Sequence, residues 1–528
     1  MLDKILNNRI IVLYLLPFSL GLLTVFSFQP FNLSFINFFL LPIFFLLIVY
    51  VRKKSKSVYR KKPYRKNLFF IGIGFGFGFY LSGIFWIAYS LTFDENFKIL
   101  IPFAVILIPL FLSLFIGLIT LIIGQFLSYN FSSLLLFSGS FALSDYIRGK
   151  ILTGFPWNLW GYSWSWLTEV LQILNFLGLY AFNLIAITIF TVPAVLFFKM
   201  SLIKRILIIS STFLLIFSIY IYGTFSINKN KGLINYLDNN EKIYIKVISP
   251  NFELKYNSSI KEIEKKLENL VRYSDPDPKK ETLFVWPEGI FTGFNFSEIY
   301  QFRNLIKDRF KKNHLILFGI NTLDNSTGEY FNSLVVINNE FKILDRYDKK
   351  KLVPFGEFIP FETFFNKFGL KKITQGYGSF SKGKTEQNIS INNFNILPLI
   401  CYEIIFPELT QKANKNTNLI VNISEDGWFG HSIGPQQHFA KAIFRSIENN
   451  SFLVRSANKG ISAIITNKGE IVKRLNTFET GSIEMDIPLL KTEYKNKNDL
   501  IFFILLFTYL SIFLIFKNKS YCIPINTY

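Results

Sequence analysis

Residues 395–408 read N-I-L-P-L-I-C-Y-E-I-I-F-P-E and place a thiol directly after an apolar run. The run Ile396–Ile400 has the continuous apolar character of a buried strand, and Cys401 follows at its end. Glu403 then supplies a carboxylate close to the thiol. Free cysteines are among the most buried residue types, so Cys401 alone is readily explained as a packing residue. A strand-end thiol beside a carboxylate also suits a nucleophile, and the rest of the chain has to distinguish these two interpretations.

Long intervals of the 528-residue chain contain no charged side chain, and half of its residues are hydrophobic. Uncharged, mostly apolar runs of about 18 or more residues are typical of membrane-spanning helices. Polar turns near residues 28–32 and 128–130 divide the two longest intervals. The sequence therefore predicts an integral membrane protein with about eight transmembrane helices, at residues 10–27, 33–51, 68–92, 99–127, 131–146, 168–198, 205–224 and 499–516.

A basic loop at residues 52–66 carries nine Lys and Arg residues and no acidic residue. Loops of this kind stay on the cytoplasmic side of a membrane, so we expect the loop and both termini to be cytoplasmic. Counting the spans outward from the loop places residues 225–498 outside the cytoplasm. The loop also contributes to the net charge of +21 and suits contact with anionic head groups, so we expect membrane lipids and no nucleic acid as partners.

This pattern divides the chain into three predicted parts: a transmembrane bundle of about seven helices (1–224), an extracytoplasmic α/β domain (225–498), and a C-terminal transmembrane helix with a cytoplasmic tail (499–528). In the middle part, short apolar runs alternate with amphipathic helical patterns, which favours an α/β fold. A part of this size is long enough for one domain.

The two cysteines, Cys401 and Cys522, fall on opposite sides of the membrane in this arrangement, so they are not expected to pair. A lone thiol in an oxidising compartment is a liability unless it has a chemical role. The histidines His314, His431 and His438 are scattered, and no Cys or His pair has the spacing of metal ligands. We therefore expect neither a metal nor another cofactor.

Three polar clusters of the α/β part place a carboxylate, an amine or a thiol at a strand end or in the following loop, where active sites of layered folds gather. They are W-P-E-G at 286–289, Y-D-K-K-K-L-V-P-F-G-E-F-I-P at 347–360, and C-Y-E at 401–403. A carboxylate can act as a base towards a thiol, and an ammonium can stabilise a developing oxyanion. The three clusters together contain all of these groups.

With these clusters the chain resembles the nitrilase superfamily, whose Glu-Lys-Cys triad follows the same order. Within that superfamily it is similar to the membrane-embedded apolipoprotein N-acyltransferases, and the resemblance covers nearly the whole chain. The motifs that carry it are W-P-E, Y-x-K-x-x-L-V-P-F-G-E, I-C-Y-E, F-P-W-x-x-x-G-Y-S and N-I-S-E-D-G-W-F-G-H-S-I-G-P-Q-Q-H. The resemblance implies a nitrilase-like α-β-β-α sandwich for the extracytoplasmic domain. Gly289 departs from the family, which more often has a small hydroxylated residue there.

The resemblance implies that Glu288 is the base, Lys349 the oxyanion-stabilising ammonium and Cys401 the nucleophile. The register of the second motif selects Lys349 from three consecutive lysines. It also implies supporting roles near the nucleophile for Glu357, Tyr402 and Glu403. Three aromatic residues are interpreted either as packing or interfacial residues or as a lid and substrate contacts: Trp428, Phe429 and Trp157.

The implied activity is the last step of lipoprotein maturation in the bacterial inner membrane. A phospholipid donates a fatty acyl chain to the cysteine, and the thioester passes it to the N-terminal α-amine of a diacylglyceryl apolipoprotein. We expect a multi-pass monomer with its catalytic domain on the periplasmic side. Two alternatives remain open: a membrane-anchored nitrilase-like amidase that hydrolyses a small amide, and a non-catalytic receptor or transporter.

Overall fold

The computed structural model describes residues 7–54, 64–235, 242–255, 258–360, 379–384, 388–391, 394–411, 417–490 and 499–521. Most of the basic loop (residues 55–63) and Cys522 lie outside the described residues. The chain forms two compact units. The first comprises Met1–Ala88, Leu100–Thr224 and Lys497–Tyr528, and the second comprises Tyr89–Ile99 and Phe225–Asn496.

The α-helices of the described residues are α1 (Leu16–Leu23), α2 (Asn37–Lys54), α3 (Tyr64–Ile84), α4 (Ile101–Ile123), α5 (Phe131–Lys150), α6 (Thr168–Leu171), α7 (Leu174–Leu177), α8 (Leu179–Thr191), α9 (Leu202–Asn235), α10 (Ile260–Ser274), α11 (Phe296–Ile299), α12 (Arg303–Arg309), α13 (Pro407–Gln411), α14 (Gly434–Asn449) and α15 (Leu500–Tyr521). The strands are β1 (Lys242–Ser249), β2 (Thr282–Val285), β3 (His314–Leu323), β4 (Tyr330–Ile337), β5 (Ile343–Asp348), β6 (Ile389–Ile391), β7 (Phe394–Ile400), β8 (Leu419–Glu425), β9 (Phe452–Asn458), β10 (Ser462–Ile465), β11 (Ile471–Leu475) and β12 (Gly481–Pro488).

The first unit contains most of the apolar helices. Six helical stretches of the described residues are long and apolar enough to cross a membrane: Ser34–Lys54, Arg65–Phe93, Glu95–Ile123, Leu179–Phe197, Leu202–Gly232 and Leu500–Lys517. The predicted first span corresponds to a shorter apolar helix, Ile11–Ser27, and the predicted fifth span to α5. The apolar helical region is thus confirmed, whereas the number of eight spans stays a prediction.

The predicted sixth span, residues 168–198, is not one continuous helix. It contains α6, α7 and α8, and the chain changes direction at Gly178, which has a φ of +75°. A left-handed backbone of this kind favours glycine, because a side chain would be strained there. The apolar composition alone did not reveal this interruption, because short helices and a long one share the same hydropathy.

A buried polar cluster in the first unit holds the loop at residues 155–166, which contains four tryptophans. Asn183 accepts a hydrogen bond from the backbone of Gly161 at 3.0 Å and donates one to Asp145 at 3.0 Å. Arg148 pairs with the same Asp145 at 2.8 Å. These bonds fix the loop that carries Trp157, which is buried and lies 4.7 Å from Trp86 between ring centroids. Trp157 is therefore an interior residue of the helical unit.

The described residues of the second unit form two six-stranded sheets. The first has the order β12-β1-β2-β3-β4-β5, and the second has the order β11-β10-β9-β8-β7-β6. Strands β1, β2 and β3 are parallel to one another, as are β7, β8 and β9, and antiparallel strands flank each trio. Strands β10 and β11 follow one another along the chain and pair as an antiparallel hairpin.

The two sheets pack face to face through one apolar core, to which Val247, Leu334, Ile396 and Val421 contribute. A second core, outside the first sheet, joins it to α10 and its neighbours. On the other side, α14 contacts the second sheet. This is the α-β-β-α sandwich that the sequence resemblance implied, and it brings the carboxyl ends of β2, β7 and β8 to the candidate site.

Gly319 in β3 lies where another part of the backbone passes closely. A Cβ atom at this position would lie 2.9 Å from the Cα of Glu288 and 3.0 Å from the Cδ1 of Ile423. The first distance is shorter than Cβ atoms tolerate, and the neighbour is backbone, which cannot move aside without displacing Glu288.

We predict that Gly319→Ala lowers the activity of the protein by about a hundredfold, because misplacing a reacting group by about 1 Å has effects of this size. Gly232→Ala is the matched control, since a Cβ there meets no atom within 4 Å. Turnover and thermal unfolding of both variants check this prediction. Wild-type activity of folded Gly319→Ala would contradict it.

Candidate active site

Glu288 follows β2 in the turn Trp286–Gly289 and is nearly buried. The indole of Trp286 anchors this turn by donating to the Ser274 hydroxyl at 2.9 Å. One carboxylate oxygen of Glu288 accepts the backbone N–H of Glu425 at 3.1 Å. The other lies 3.4 Å from the Nζ of Lys349. The carboxylate is therefore held between the ends of strands from both sheets.

Lys349 directly follows β5 and is only 1% exposed. Its ammonium lies 2.8 Å from Glu357 Oε1 and 3.4 Å from Glu288 Oε1. Burial alone lowers the pKa of Lys349, but the two carboxylates outweigh it and raise the pKa above the usual range of lysine. Lys349 is thus a permanent cation, which suits it to stabilise an oxyanion and not to act as a base.

Cys401 directly follows β7 and begins the short 3-10 turn Cys401–Ile405. Its φ of +49° is left-handed, which is uncommon for any residue with a side chain. Burial, and then the Glu288 carboxylate, raise the pKa of the thiol, whereas the Lys349 ammonium lowers it. The resting thiol is therefore protonated. Glu288 and Lys349 act on it most strongly among the charged groups, and Asp426 also raises its pKa.

Glu403 joins the two halves of the site. Its carboxylate accepts backbone N–H groups of Ile400, Lys350 and Lys351 at 2.9, 2.7 and 3.1 Å, and the Tyr347 hydroxyl at 3.0 Å. Burial raises the pKa of Glu403, while these N–H donors lower it. Because β5 and β7 belong to different sheets, this carboxylate fixes the lysine segment against the cysteine segment.

Asn332 is a site residue that the sequence did not single out. It lies in β4, and its amide nitrogen donates to Glu288 at 2.8 Å and to Glu357 at 2.7 Å. Its backbone oxygen also accepts the N–H of Lys349 at 2.9 Å. One amide therefore orients both carboxylates around the ammonium. In the sequence, Asn332 and Ser333 are polar residues ahead of the apolar run 334–337, and this pattern does not indicate what the asparagine faces.

Glu425, at the end of β8, adds a second buried carboxyl group beside Glu288. Burial raises the pKa of Glu425 to about 8, although Asn458 and Gly427 donate hydrogen bonds to it at 2.7 and 2.8 Å. At neutral pH this group is largely uncharged, so the site carries no additional negative charge next to Glu288.

The remaining predicted residues lie around this centre or apart from it. Tyr402 is partly buried and its ring packs edge-on against Phe406 at 5.0 Å. Phe429 is buried and contacts His438, whereas the partly exposed Trp428 contacts Phe93 at 5.2 Å. Phe93 belongs to Tyr89–Ile99, the segment between two apolar helices that groups with the second unit.

The structure thus brings together Glu288, Lys349, Glu357, Cys401 and Glu403 in the second unit. Trp157 lies in the first unit, and its predicted substrate contact stays a prediction. The catalytic roles of the residues are proposals.

Comparison with known proteins adds the family context. Residues 256–494 match the family model described as carbon-nitrogen hydrolase, and residues 20–192 match the one described as apolipoprotein N-acyltransferase N-terminal domain. The chain is similar to an apolipoprotein N-acyltransferase of Brucella melitensis, with 29% identity over 92% of both chains. It is similar to another from Bradyrhizobium diazoefficiens, with 31% identity over 90% of this chain and 89% of the relative.

Among solved structures, Saccharomyces cerevisiae Nit3, a member of branch 10 of the nitrilase superfamily, is 17% identical. The match covers 54% of this chain and 96% of Nit3, with a TM-score of 0.35. The family models and relatives confirm the predicted resemblance.

We predict that Asn332→Ala lowers turnover by about ten- to a hundredfold, because both carboxylates lose the amide that orients them. Asn332→Asp should be worse, since it places a third carboxylate against Glu288 and Glu357. Asn338→Ala is the control, as it removes an amide that bonds only turn backbone at Glu340 and Lys342. Equal turnover of Asn332→Ala and Asn338→Ala, per folded protein, would contradict the assignment.

Proposed function

Because this chain belongs to the apolipoprotein N-acyltransferase family, we propose that it transfers a fatty acyl chain from a phospholipid to the N-terminal α-amine of diacylglyceryl apolipoproteins. The observation that carries the mechanism is the buried arrangement of Glu288 and Lys349, which both act on the thiol of Cys401. All of these side chains come from one chain, so a monomer is sufficient for the reaction.

In the first half-reaction, Glu288 accepts the thiol proton of Cys401 and the sulfur attacks the ester carbonyl of the phospholipid. The Lys349 ammonium and a backbone N–H that follows the cysteine stabilise the tetrahedral oxyanion. The C–O bond then breaks, Glu288 returns the proton to the leaving alkoxide, and a lysophospholipid departs. A thioester on Cys401 remains.

In the second half-reaction, the α-amine of the apolipoprotein attacks the thioester. Glu288 accepts a proton from the amine, the C–S bond breaks, and the proton passes to the departing thiolate. The product is an amide, and the free thiol is restored. Glu357 supports both steps by holding the ammonium of Lys349 at 2.8 Å.

The competing reaction is hydrolysis, which the amidase alternative would require. A thioester prefers an amine when water is excluded from the site. The near-complete burial of Cys401, Glu288 and Lys349 supports such exclusion, and family membership favours transfer over hydrolysis. We infer that Trp428 and Phe429 belong to the apolar surroundings that the acyl chain needs.

The experiment is mass spectrometry of the purified protein after incubation with a phospholipid that carries a labelled acyl chain. We expect one acyl adduct on Cys401, absent from Cys401→Ala and retained in Cys522→Ala, the variant of the other cysteine. Addition of a diacylglyceryl lipopeptide should remove the adduct and yield an N-acylated peptide. An adduct that persists in Cys401→Ala, or release of free fatty acid only, would overturn the proposal.

The protein is a membrane protein, and we propose that residues 225–498 face the periplasm, as the positive charge of residues 52–66 supports. Protease added to intact spheroplasts should then cleave this part of the chain, for instance in the exposed segment near Lys255. If the protease cleaves residues 225–498 only after the spheroplast membrane has been permeabilised, the domain lies in the cytoplasm instead.

A further inference from the structure

A second charged cluster, separate from the Glu288–Lys349–Glu357 group, lies behind Cys401. Its members are Ser424 in β8, Asp426 in the 3-10 turn Asp426–Phe429, His438 in α14 and Arg455 in β9. Each is at most 1% exposed. The proposed chemistry uses none of them, although burying charged groups is costly unless they perform a role or compensate one another.

Arg455 and Asp426 form the rigid part of this cluster. Nη2 of Arg455 lies 2.8 and 3.0 Å from the two carboxylate oxygens of Asp426. The guanidinium also donates to the side chain of Asn422 and, at 3.2 Å, to the backbone oxygen of Ile461. Burial raises the pKa of Asp426, but Arg455, His438 and Ser424 together outweigh burial and lower the pKa, so Asp426 stays ionised at low pH. The pair therefore persists across the physiological range.

His438 connects this pair to the nucleophile. Its Nδ1 lies 3.0 Å from both Arg455 Nη2 and Asp426 Oδ1, and its Nε2 lies 3.3 Å from the backbone oxygen of Cys401. Burial, and then Arg455, lower the pKa of His438 to about 4, so the ring is neutral at pH 7. A neutral ring that accepts from Arg455 at Nδ1 carries its proton on Nε2, where it can donate to Cys401.

The same cluster reaches the thiol through a hydroxyl. Ser424 donates its hydroxyl hydrogen to Asp426 Oδ1 at 2.6 Å, and the same hydroxyl interacts with the thiol of Cys401, whose pKa it lowers. The backbone oxygen and the side chain of Cys401 are therefore both next to one buried assembly. This matters because Cys401 has a left-handed backbone, with φ at +49°, that needs support from its surroundings.

We propose that His438 is a positioning residue for the acyl transfer, which holds Cys401 in its left-handed conformation through the Nε2–H bond to its backbone oxygen. Arg455 selects the tautomer that can make this bond, and Ser424 aims the thiol. The inference rests on the proposed function, because it assigns a purpose to the conformation of the nucleophile. His438 transfers no proton to or from a substrate in this role.

The test compares His438→Gln, which keeps an N–H donor, with His438→Met, which has a similar reach and no donor. His431→Ala is the control, because His431 is exposed and stacks on Phe478. The measurement is the single-turnover rate of acyl-enzyme formation from a labelled phospholipid, together with KM for phospholipid and the unfolding temperature. These readouts separate positioning of the thiol from general stability.

We expect His438→Met to slow acyl-enzyme formation by about ten- to a hundredfold with KM within about twofold of wild type. His438→Gln should recover at least part of that rate, and His431→Ala should match the wild type. Equal rates for the Gln and Met variants, per folded protein, would overturn the proposal.

Ser424→Ala provides an independent variant should His438→Met not fold. It leaves the histidine in place and removes only the hydroxyl between the thiol and Asp426, so a several-fold slower acylation with unchanged KM is expected. A wild-type rate would overturn the proposal. If the wild-type protein itself forms no adduct on Cys401, the proposed function fails, and this result is distinct from a failure of the positioning role.

Discussion

The buried ammonium of Lys349 is the constraint on which the site depends. A cation this deeply buried is tolerated only with compensating charges and hydrogen bonds, and Glu288 and Glu357 supply them at 3.4 and 2.8 Å. Removing one partner of such a pair costs about 3–5 kcal/mol, because the other charge is left buried without compensation. Asn332 makes the arrangement specific by binding both carboxylates through one nitrogen. The contacts that compensate the buried charge of Lys349 in the folded protein are therefore also the contacts that preorganise the site for chemistry.

A carboxylate that takes no part in the reaction determines where the reacting groups meet. Glu403 accepts hydrogen bonds from three backbone N–H groups and from the hydroxyl of Tyr347. These donors lie at the end of β7, in β5 and directly after β5, and the two strands belong to different sheets. Packing of the two sheets brings these segments near each other, but apolar contacts tolerate small sliding movements. Directional hydrogen bonds to one buried carboxylate do not tolerate such movements. Glu403 therefore sets the distance between the lysine and the cysteine segments more finely than the core does.

The sequence predicted the parts of this architecture that local patterns determine. The apolar runs that precede Glu288 and Cys401 marked the ends of β2 and β7, the motif register selected Lys349, and the sandwich followed from the family resemblance. Asn332 and His438 were not predicted as site residues, because an asparagine within a strand and a histidine on a helix carry no local sign of what they face. Their roles come from pairings between distant segments. Two further features also escape local patterns. Tyr89–Ile99 groups with the second unit through tertiary contacts, and the helix break at Gly178 depends on a backbone angle.

The raised pKa of the Cys401 thiol is consistent with a nucleophile, although it keeps the resting sulfur neutral. During the proposed reaction one negative charge moves from the Glu288 carboxylate to the thiolate, then to the oxyanion, and back. Lys349 interacts with the first two of these positions, and the oxyanion forms next to the sulfur. Because the total charge of the buried site never changes, no step requires a new charge to be desolvated. A fixed ammonium can then stabilise each intermediate in turn without reorganisation, and a thiolate forms only when an ester carbonyl is present to receive it.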